Sequence, residues 1–203
     1  MCGIAGLALP DDVLPDAALV RAMADRLAHR GPDAHGVLAM PGCTFGHRRL
    51  SIVDLSDLAA QPMRSPDESA MLTFNGEIYD FAALRDELVS LGYVFRSRSD
   101  TEVLLHALDA WGDAALQRIH GMFAFGHWSA RDRALTLVRD RFGKKPLYYA
   151  PLGDDSGRGG VAFASELSAL LVHPEVRARR EVDPAAVAQY LVHEFVPQPR
   201  SIL

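Results

Sequence analysis

The sequence of 203 residues predicts an α+β fold built on antiparallel sheets. Short apolar runs typical of strands concentrate at both ends of residues 1–165, and a helical block lies between them. A parallel α/β protein would instead alternate strands and helices along the chain. Because that alternation is absent from the sequence, we expect strands that pair mainly with antiparallel neighbours.

The first half of the chain contains two strand signals and two helix signals. Residues 2–9, CGIAGLAL, are apolar and spaced by glycine, as in a buried strand, and 70–74 form a second apolar run that leads into Asn-Gly-Glu. Apolar residues at helical spacing predict a helix over 16–28, ahead of the loop HRGPD. Another helix is expected over 80–91, closed by Gly92.

The second half begins with a helix signal and continues with strands. Ser99 and Glu102 form a capping-box pattern, so a helix should begin there and continue to Trp111, before Gly112. The segment GDDSGRGG at 153–160 is rich in turn residues and predicts a hairpin loop rather than a domain linker. Four strand-like runs are expected: 122–128, 134–139, 147–152 and 161–164.

The character of the sequence changes at Glu181. A short helix is expected to open at Asp183-Pro184 and to reach about His193, after which FVPQPRSIL runs extended. This last segment has no turn, cap or polar tail. We therefore expect one domain over residues 1–180, with 181–203 as the beginning of a connection to a further domain.

Composition excludes several classes of function. A net charge of -5 and a pI near 5.9 argue against nucleic acid as a partner, because phosphate binding requires a basic surface. No apolar run has the length of a membrane span, and no secretory signal is recognisable. The two cysteines lack a disulfide-type spacing, so we expect a reduced, cytoplasmic protein in which Cys43 is a small buried hydrophobe.

Cys2 is the first candidate for chemistry. If Met1 is removed, the thiol lies beside a free α-amino group, whose ordinary pKa of about 7.7–8.0 suits a general base. A single residue would then supply both the nucleophile and the base that activates it. The alternative is that Cys2 is only a small residue in a terminal strand.

Asn75 and Gly76 are candidates for the stabilisation of an oxyanion. Acyl transfer needs hydrogen-bond donors that point at the developing negative charge, and an Asn amide with a glycine N–H is a suitable pair. By itself the Asn-Gly dipeptide is more typical of a hairpin turn. The segment EIYDF that follows leads towards a helix rather than a returning strand, which favours the oxyanion role.

Two further residues have the charges that a free amino acid requires. A guanidinium is the best partner for an α-carboxylate, and Arg49 lies in the apolar-flanked run GHRRLSIVD. A carboxylate is the best partner for an α-ammonium group, and Asp100 lies at a predicted helix N-terminus. Each residue also has a simpler interpretation, Arg49 as a surface cation and Asp100 as a group stabilised by the helix dipole.

Seven ordered sequence blocks resemble the N-terminal class II (Ntn-type) glutaminase domain of glutamine-hydrolysing asparagine synthetases. The resemblance covers residues 1 to about 180. The blocks are Met-Cys-Gly-Ile (1–4), HRGPD (29–33), GHRRLSIVDLS (46–56), FNGEIYDF (74–81), SRSDTEV (97–103), GMFAF (121–125) and RDRFGKKPLYYA (139–150).

The resemblance implies a four-layer αββα fold, two antiparallel sheets between helices, that hydrolyses glutamine to glutamate and ammonia through a γ-glutamyl thioester. It implies Cys2 as nucleophile, Asn75 and Gly76 as the oxyanion hole, and Arg49 as the group that binds the glutamine carboxylate. The remaining implied site residues are Leu50, Ser51, Ile52 and Val53 along the pocket, Glu77 and Asp100 at the α-amino end, and Arg30 and Gly31 near the terminal amine.

In the resembled family, ammonia passes to a C-terminal domain that activates aspartate with ATP and Mg²⁺. The pyrophosphate loop SGGxDS of that domain does not occur in this sequence. The resemblance therefore implies no cofactor in this chain, with ATP and Mg²⁺ expected only in a synthetase domain, supplied in cis or in trans. It is also compatible with a homodimer.

Three other functions stay open on the sequence alone. The same glutaminase could feed the amidation of a different carboxylate, because residues that select the acceptor would lie beyond Leu203. A non-catalytic descendant could serve as a binding domain, although such descendants usually lose the nucleophile. A metal hydrolase that uses His29, His35 and His47 is the weakest alternative, since those histidines lack a recognised ligand spacing.

Overall fold

The computed structural model describes residues 1–10, 13–153, 159–197 and 200–202. The strands are β1 Gly3–Ala8, β2 Ala34–Met40, β3 Cys43–Arg49, β4 Met63–Arg64, β5 Ala70–Ile78, β6 Gly121–Ser129, β7 Ala134–Arg139, β8 Tyr148–Pro151 and β9 Val161–Ala164. The α-helices are α1 Ala17–Asp25, α2 Phe81–Ser90, α3 Asp100–Trp111, α4 Leu167–Leu170, α5 Pro174–Ala178 and α6 Pro184–His193. Short 3₁₀ helices occupy Asp57–Ala59 and Gly112–Gln117.

The strands form two antiparallel sheets, which confirms the predicted fold class. The first sheet has the order β2-β3-β1-β9-β8, and the second has the order β4-β5-β6-β7. The sheets face each other through an apolar layer that contains Phe45 and Phe163 from the first sheet and Met71 and Trp128 from the second. Burial of these large side chains from water is the main force that holds the two sheets together.

Helices cover the outer face of each sheet. Val20, Met23 and Leu27, from α1 and the turn after it, pack against Ala5 and Leu7 of the first sheet. The outer face of the second sheet packs against α2 and α3 in a separate core that includes Leu72, Phe74, Leu88, Leu104 and Phe125. The order of layers is therefore helix, sheet, sheet, helix, as the resemblance implies.

Three strands were not anticipated from the sequence: β2, β3 and the two-residue strand β4. The hairpin of β2 and β3 pairs Ala34 with Arg49 at one end and Met40 with Cys43 at the other. A histidine interrupts the apolar pattern of β2, and a histidine and two arginines interrupt that of β3, so period-two alternation does not identify them. Pairing of β3 with β1 forms the strands nevertheless, because sheet neighbours can outweigh local sequence preference.

The segment Asn75-Gly76-Glu77 also differs from expectation. The predicted strand over 70–74 continues through it, and β5 ends only at Ile78. Asn75 pairs with Ala124 and Gly76 with Phe123 on β6. The Asn-Gly dipeptide is therefore part of a strand rather than a hairpin turn.

The N-terminus of α3 contains half of the predicted capping box. Ser99 Oγ accepts a hydrogen bond from the Glu102 N–H at 3.2 Å, as a cap should. The Glu102 carboxylate does not return to Ser99. It accepts hydrogen bonds from the N–H groups of Arg96 at 2.9 Å and Ser97 at 2.7 Å. The Ser99 side chain therefore caps α3, and the Glu102 carboxylate fixes the loop before the helix.

The hairpin of β8 and β9 and the helix α6 agree with their sequence signals, whereas the short helices α4 and α5 were not anticipated. The strands β8 and β9 pair antiparallel, as the predicted hairpin requires, although residues 154–158 of its loop lie outside the described part. Asp183 caps α6 by accepting from the Ala185 N–H at 2.9 Å. The expected extended run over 195–203 includes residues 198, 199 and 203, which also lie outside it. Over the described ranges, every helix is too short or too polar to cross a membrane.

Candidate active site

A cavity of about 250 Å³ opens between the two sheets, where β1, β3 and β5 approach α3. The predicted site residues among its lining are Cys2, Arg49, Leu50, Ile52, Val53, Asn75, Gly76, Glu77 and Asp100. The lining also contains Met1, Asp54, Ala59, Gln61, Phe74, Ser99, Thr101, Met122 and Lys145. A larger cavity of about 730 Å³, between α3 and the second sheet, has no cysteine in its lining.

Cys2 lies immediately before β1 and is partly buried in the cavity wall. Its Sγ lies 3.6 Å from the Leu50 carbonyl oxygen, to which the thiol donates, and 3.4 Å from the Leu50 N–H, which donates to sulfur. Burial raises the pKa of the Cys2 thiol above its ordinary value. The contact with Leu50 and the positive charges of the chain terminus, Arg49 and Lys145 oppose this rise.

Asn75 presents an unpaired hydrogen-bond donor to the same cavity. The residue is 1% exposed, and its Nδ2 has no hydrogen-bond partner among the residues that the structure describes. A buried amide that lacks a partner costs free energy, so native proteins rarely keep one without a function. This donor is available to a ligand that carries an acceptor oxygen.

Gly76 is required by the close approach of β5 to β6. A Cβ atom at this position would lie 2.4 Å from the Met122 carbonyl oxygen and 2.7 Å from Phe123 Cα. Any larger residue would force the strands apart. The glycine therefore keeps the backbone beside Asn75 flat against its neighbour strand and open towards the cavity.

Arg49 ends β3 and shapes the loop that follows it. Its guanidinium donates to the carbonyl oxygen of Ser56 at 3.1 Å and to that of Asp54. These bonds fold the segment 50–56 around one rim of the cavity, which exposes Ile52 and Val53 at the mouth. Ser51 is not part of the lining, and its N–H donates to Asp33 Oδ2 at 2.8 Å.

Asp100 and Glu77 form a negative side of the cavity. Asp100 is the first residue of α3, and its Oδ2 accepts from the Ile78 N–H at 3.1 Å. Burial raises the pKa of Asp100 to about 6, a shift that hydrogen bonds from Ile78 and Thr101 oppose and the charge of Glu77 increases. The anionic form of Asp100 is therefore costly without a cationic ligand.

Arg30 and Gly31 lie beside the cavity rather than in its wall. Arg30 Nε donates to the Cys2 carbonyl oxygen at 3.0 Å, and its Nη1 pairs with Glu166 Oε1 at 2.9 Å. Gly31 lies directly on β3, because a Cβ there would be 2.4 Å from the Arg48 carbonyl oxygen. The two residues hold the first residues of the chain against the first sheet.

Sequence reasoning missed Gln61 and Lys145. Gln61 Oε1 accepts from the Phe74 N–H at 2.7 Å, and its Nε2 donates to Thr101 Oγ1 at 3.2 Å, so it links the strand before Asn75 to α3. No local pattern marks such a glutamine. Lys145 lies in the block RDRFGKKPLYYA, whose resemblance to the family assigns no role to the lysine.

Two histidines of the metal alternative have other side-chain partners, and the third lies in the register of a strand pair. His29 Nε2 lies 2.9 Å from Glu166 Oε1, and His47 Nε2 lies 3.1 Å from the Phe74 carbonyl oxygen. His35 pairs with Arg48 in the hairpin of β2 and β3. Across the described ranges, no group of three or more histidine, cysteine or acidic residues is arranged to hold a metal ion.

Comparison with known proteins agrees with the geometry. A family model described as a glutamine amidotransferase domain matches residues 1–203. The glutamine-hydrolysing asparagine synthetase 1 of Bacillus subtilis (strain 168) is 39% identical over 205 residues, which are 100% of this chain and 31% of the relative. A putative asparagine synthetase of Mycobacterium bovis is 40% identical over 220 residues, which are 100% of this chain and 33% of the relative. This chain thus spans about a third of the length of these relatives.

A solved structure supports the fold independently. The glutamine phosphoribosylpyrophosphate amidotransferase of B. subtilis, complexed with ADP and GMP, superposes with a TM-score of 0.67 at 22% identity. The match covers 84% of this chain and 43% of that one. At this identity the likeness concerns the architecture of two sheets between helices.

Proposed function

Because the chain belongs to the glutamine amidotransferase domain family, we propose that it hydrolyses L-glutamine to glutamate and ammonia with Cys2 as the nucleophile. The observation that carries this proposal is the unpaired Asn75 Nδ2 in the wall that also contains the Cys2 thiol. A nucleophile and a buried, unsatisfied donor in one cavity are the two components that acyl transfer needs.

The chemistry uses groups from both sheets. The Cys2 thiolate attacks the carbon of the glutamine side-chain amide, and the carbonyl oxygen becomes an oxyanion that accepts from Asn75 Nδ2 and the Gly76 N–H. The carbon–nitrogen bond then breaks, and nitrogen leaves as ammonia after it receives a proton. Water hydrolyses the γ-glutamyl thioester, which releases glutamate and restores the thiol.

The α-amino group of Cys2 is the proposed proton carrier, which requires that Met1 be removed. An α-amine with an ordinary pKa of about 7.7–8.0 can accept the thiol proton and later deliver it to the leaving nitrogen. Met1 itself lines the cavity, so its removal would also enlarge the space beside the thiol. Arg30, through its bond to the Cys2 carbonyl, would hold the new terminus in place.

The charges in the lining of the cavity support the proposed recognition of glutamine. Arg49 would bind the α-carboxylate, and Asp100 with Glu77 would bind the α-ammonium group. Leu50, Ile52 and Val53 supply the rim against which the aliphatic part of the substrate packs. A bound ammonium group would also offset the cost of the buried Asp100 carboxylate.

The fate of the ammonia is proposed from the names of the relatives. Those relatives are asparagine synthetases about three times as long as this chain, so an ATP- and Mg²⁺-dependent synthetase domain that amidates aspartate is the proposed partner. Residues 1–180 would be the glutaminase, and 181–203 would lead to that domain. An acceptor other than aspartate is the second candidate, because the cavity residues described above would bind glutamine and do not select the acceptor of the ammonia. A homodimer is compatible with either acceptor.

The test is release of ammonia and glutamate from glutamine, with the intact mass recorded on the same sample. Protein without Met1 should turn over glutamine, and Cys2→Ala should abolish turnover. Cys43→Ala is the matched control, because Cys43 is fully buried in the layer between the sheets and should not affect the reaction. Undiminished turnover in Cys2→Ala would refute the proposal.

A further inference from the structure

Lys145 is a buried cation in the cavity that the proposed reaction has not used. It is 7% exposed and lines the same cavity as Cys2, Arg49 and Asn75. Within the described ranges its ammonium group makes no hydrogen bond or ion pair, although its backbone makes two hydrogen bonds. Buried lysines are usually paired, so an unpaired ammonium group on a residue that lines the same cavity as Cys2 needs an explanation.

The loop that carries Lys145 is built around the carboxylate of Asp140. Oδ1 accepts from the N–H groups of Phe142 at 3.0 Å and Lys144 at 3.1 Å. Oδ2 accepts from those of Phe123 and Lys145, each at 3.2 Å. Burial alone would raise the pKa of Asp140, but these four hydrogen bonds hold it below its ordinary value.

Arg139 fixes the same loop from its other side. Its Nε donates to the Lys145 carbonyl oxygen at 2.8 Å, and its Nη2 donates to the Gly143 carbonyl oxygen at 2.6 Å. Gly143 has a φ of +61°, and a Cβ there would lie 2.7 Å from Arg139 Nη2. The turn therefore needs both the arginine and the glycine, and the backbone of Lys145 is held at its N–H and its carbonyl.

The loop is also anchored beside the proposed oxyanion hole. The Asp140 N–H donates to the Phe123 carbonyl oxygen at 2.8 Å, in addition to the bond from the Phe123 N–H to Asp140. Phe123 is the residue that pairs with Gly76 across β5 and β6. The position of Lys145 is thus fixed relative to the strand that carries Asn75 and Gly76.

From this geometry we infer that Lys145 is an electrostatic positioning residue, which stabilises the thiolate of Cys2 relative to the neutral thiol. The inference rests on the proposed role of Cys2 as nucleophile. A cation that is carried by a fixed backbone in the wall of a cavity lowers the free energy of an anion in the same cavity. Its charge is among the influences that lower the pKa of Cys2 against the effect of burial. Lys145 would therefore compensate part of the cost of a buried nucleophile.

The test measures the thiol directly, without glutamine. Alkylation of Cys2 by iodoacetamide is followed against pH through the mass of the N-terminal peptide, which separates it from Cys43. Since only the thiolate reacts, the rate below the pKa is proportional to the thiolate fraction. Lys145→Met should slow alkylation at pH 8 about three- to tenfold and move the midpoint to higher pH, whereas Lys145→Arg should keep the wild-type profile.

Lys144→Met is the matched control, because Lys144 is the adjacent lysine, is exposed, and does not line the cavity. Circular dichroism establishes that each variant is folded, and Lys145→Gln replaces Lys145→Met if the latter is not. A neutral variant whose profile superimposes on that of the wild type would overturn the inference, as would an equal effect of Lys144→Met. A shifted profile in a protein that does not hydrolyse glutamine would refute the proposed function and leave this inference intact.

Discussion

At the scale of single residues, the cavity contains polar groups that are unfavourable for folding. The Asn75 amide is buried without a partner, and the Asp100 carboxylate is buried beside Glu77. Neither arrangement stabilises the protein, so both are best explained by a ligand that supplies the missing partners. Substitutions at these positions should therefore separate activity from stability.

Asn75→Ala should lower kcat by about 10²- to 10³-fold and leave the KM for glutamine nearly unchanged, because the lost hydrogen bond forms with the oxyanion. The fold should tolerate the change, since the removed Nδ2 has no hydrogen-bond partner in the described part of the chain. Steady-state kinetics and a thermal melt check both expectations. The isosteric Asn75→Asp should be at least as inactive, because its charge repels the oxyanion. A large rise in KM with normal kcat would contradict the assigned role.

Asp100→Asn should weaken glutamine binding and stabilise the protein. The folded pKa of about 6 lies above the ordinary 3.8, so the relative stabilisation is present below pH 3.8 and lost as pH rises through 6. Because Asp100→Asn cannot ionise, it avoids this loss. Its free energy of unfolding should exceed that of the wild type by up to about 3 kcal/mol at pH 8. Its glutamine KM should rise at every pH.

The wild-type KM should rise below pH 6, as Asp100 takes up a proton and loses its charge. Kinetics from pH 5 to 8 and urea unfolding at pH 8 provide the measurements. Asp80→Asn is a suitable control, because Asp80 pairs with His120 outside the cavity. A variant that is destabilised at pH 8, or that binds glutamine normally, would refute this account.

At the scale of elements, His47 connects β3 of the first sheet to β5 of the second. The residue is fully buried, and its Nε2 donates to the Phe74 carbonyl oxygen at 3.1 Å, directly before Asn75. Burial lowers the pKa of His47 to about 4 against the effect of this hydrogen bond. Burial therefore favours the neutral imidazole, and its hydrogen bond links the strand of Arg49 to the strand of Asn75.

The free energy of unfolding should consequently depend on pH through His47. The stabilisation is present above the ordinary value of 6.5 and is lost as pH falls to about 4, because the unfolded chain binds the proton more tightly. The difference between the two pKa values corresponds to about 3 kcal/mol in the free energy of unfolding. Urea unfolding at pH values from 7 to 4 measures this dependence. The free energy of unfolding should change less with pH in His47→Gln than in the wild type.

His120→Gln is the control, because His120 is exposed. The free energy of unfolding of this variant should depend on pH as in the wild type. Equal slopes in all three proteins would show that His47 does not control the stability of the sheet contact.

At the scale of the whole molecule, the site exists only where the two sheets meet. The first sheet contributes Cys2 and Arg49, and the second contributes Asn75, Gly76 and Glu77. The roles of these residue types follow from chemistry and could be predicted from the sequence. Most helices and strands were also predictable, because their apolar periodicity and caps are local signals.

Contacts between distant segments were not predictable from local pattern. The strand β3 forms by pairing with β1, and β2 forms by pairing with β3, even though polar residues interrupt the alternation of both. The hydrogen bonds of Cys2 with Leu50 and of Gln61 with Phe74 join residues that are distant in sequence. The burial of Lys145 likewise depends on segments that are distant from it. Such contacts depend on how the sheets pack, which neither spacing nor composition specifies.

The most direct test of the central claim is rapid-quench mass spectrometry of the peptide that contains Cys2 during turnover of glutamine. Acid quenching should reveal a mass increase of one glutamyl group on that peptide, formed before glutamate appears and strongly reduced in Asn75→Ala. The peptide that contains Cys43 should stay unmodified. Full glutamate release with an unmodified Cys2 peptide at every quench time would contradict a reaction through a Cys2 thioester.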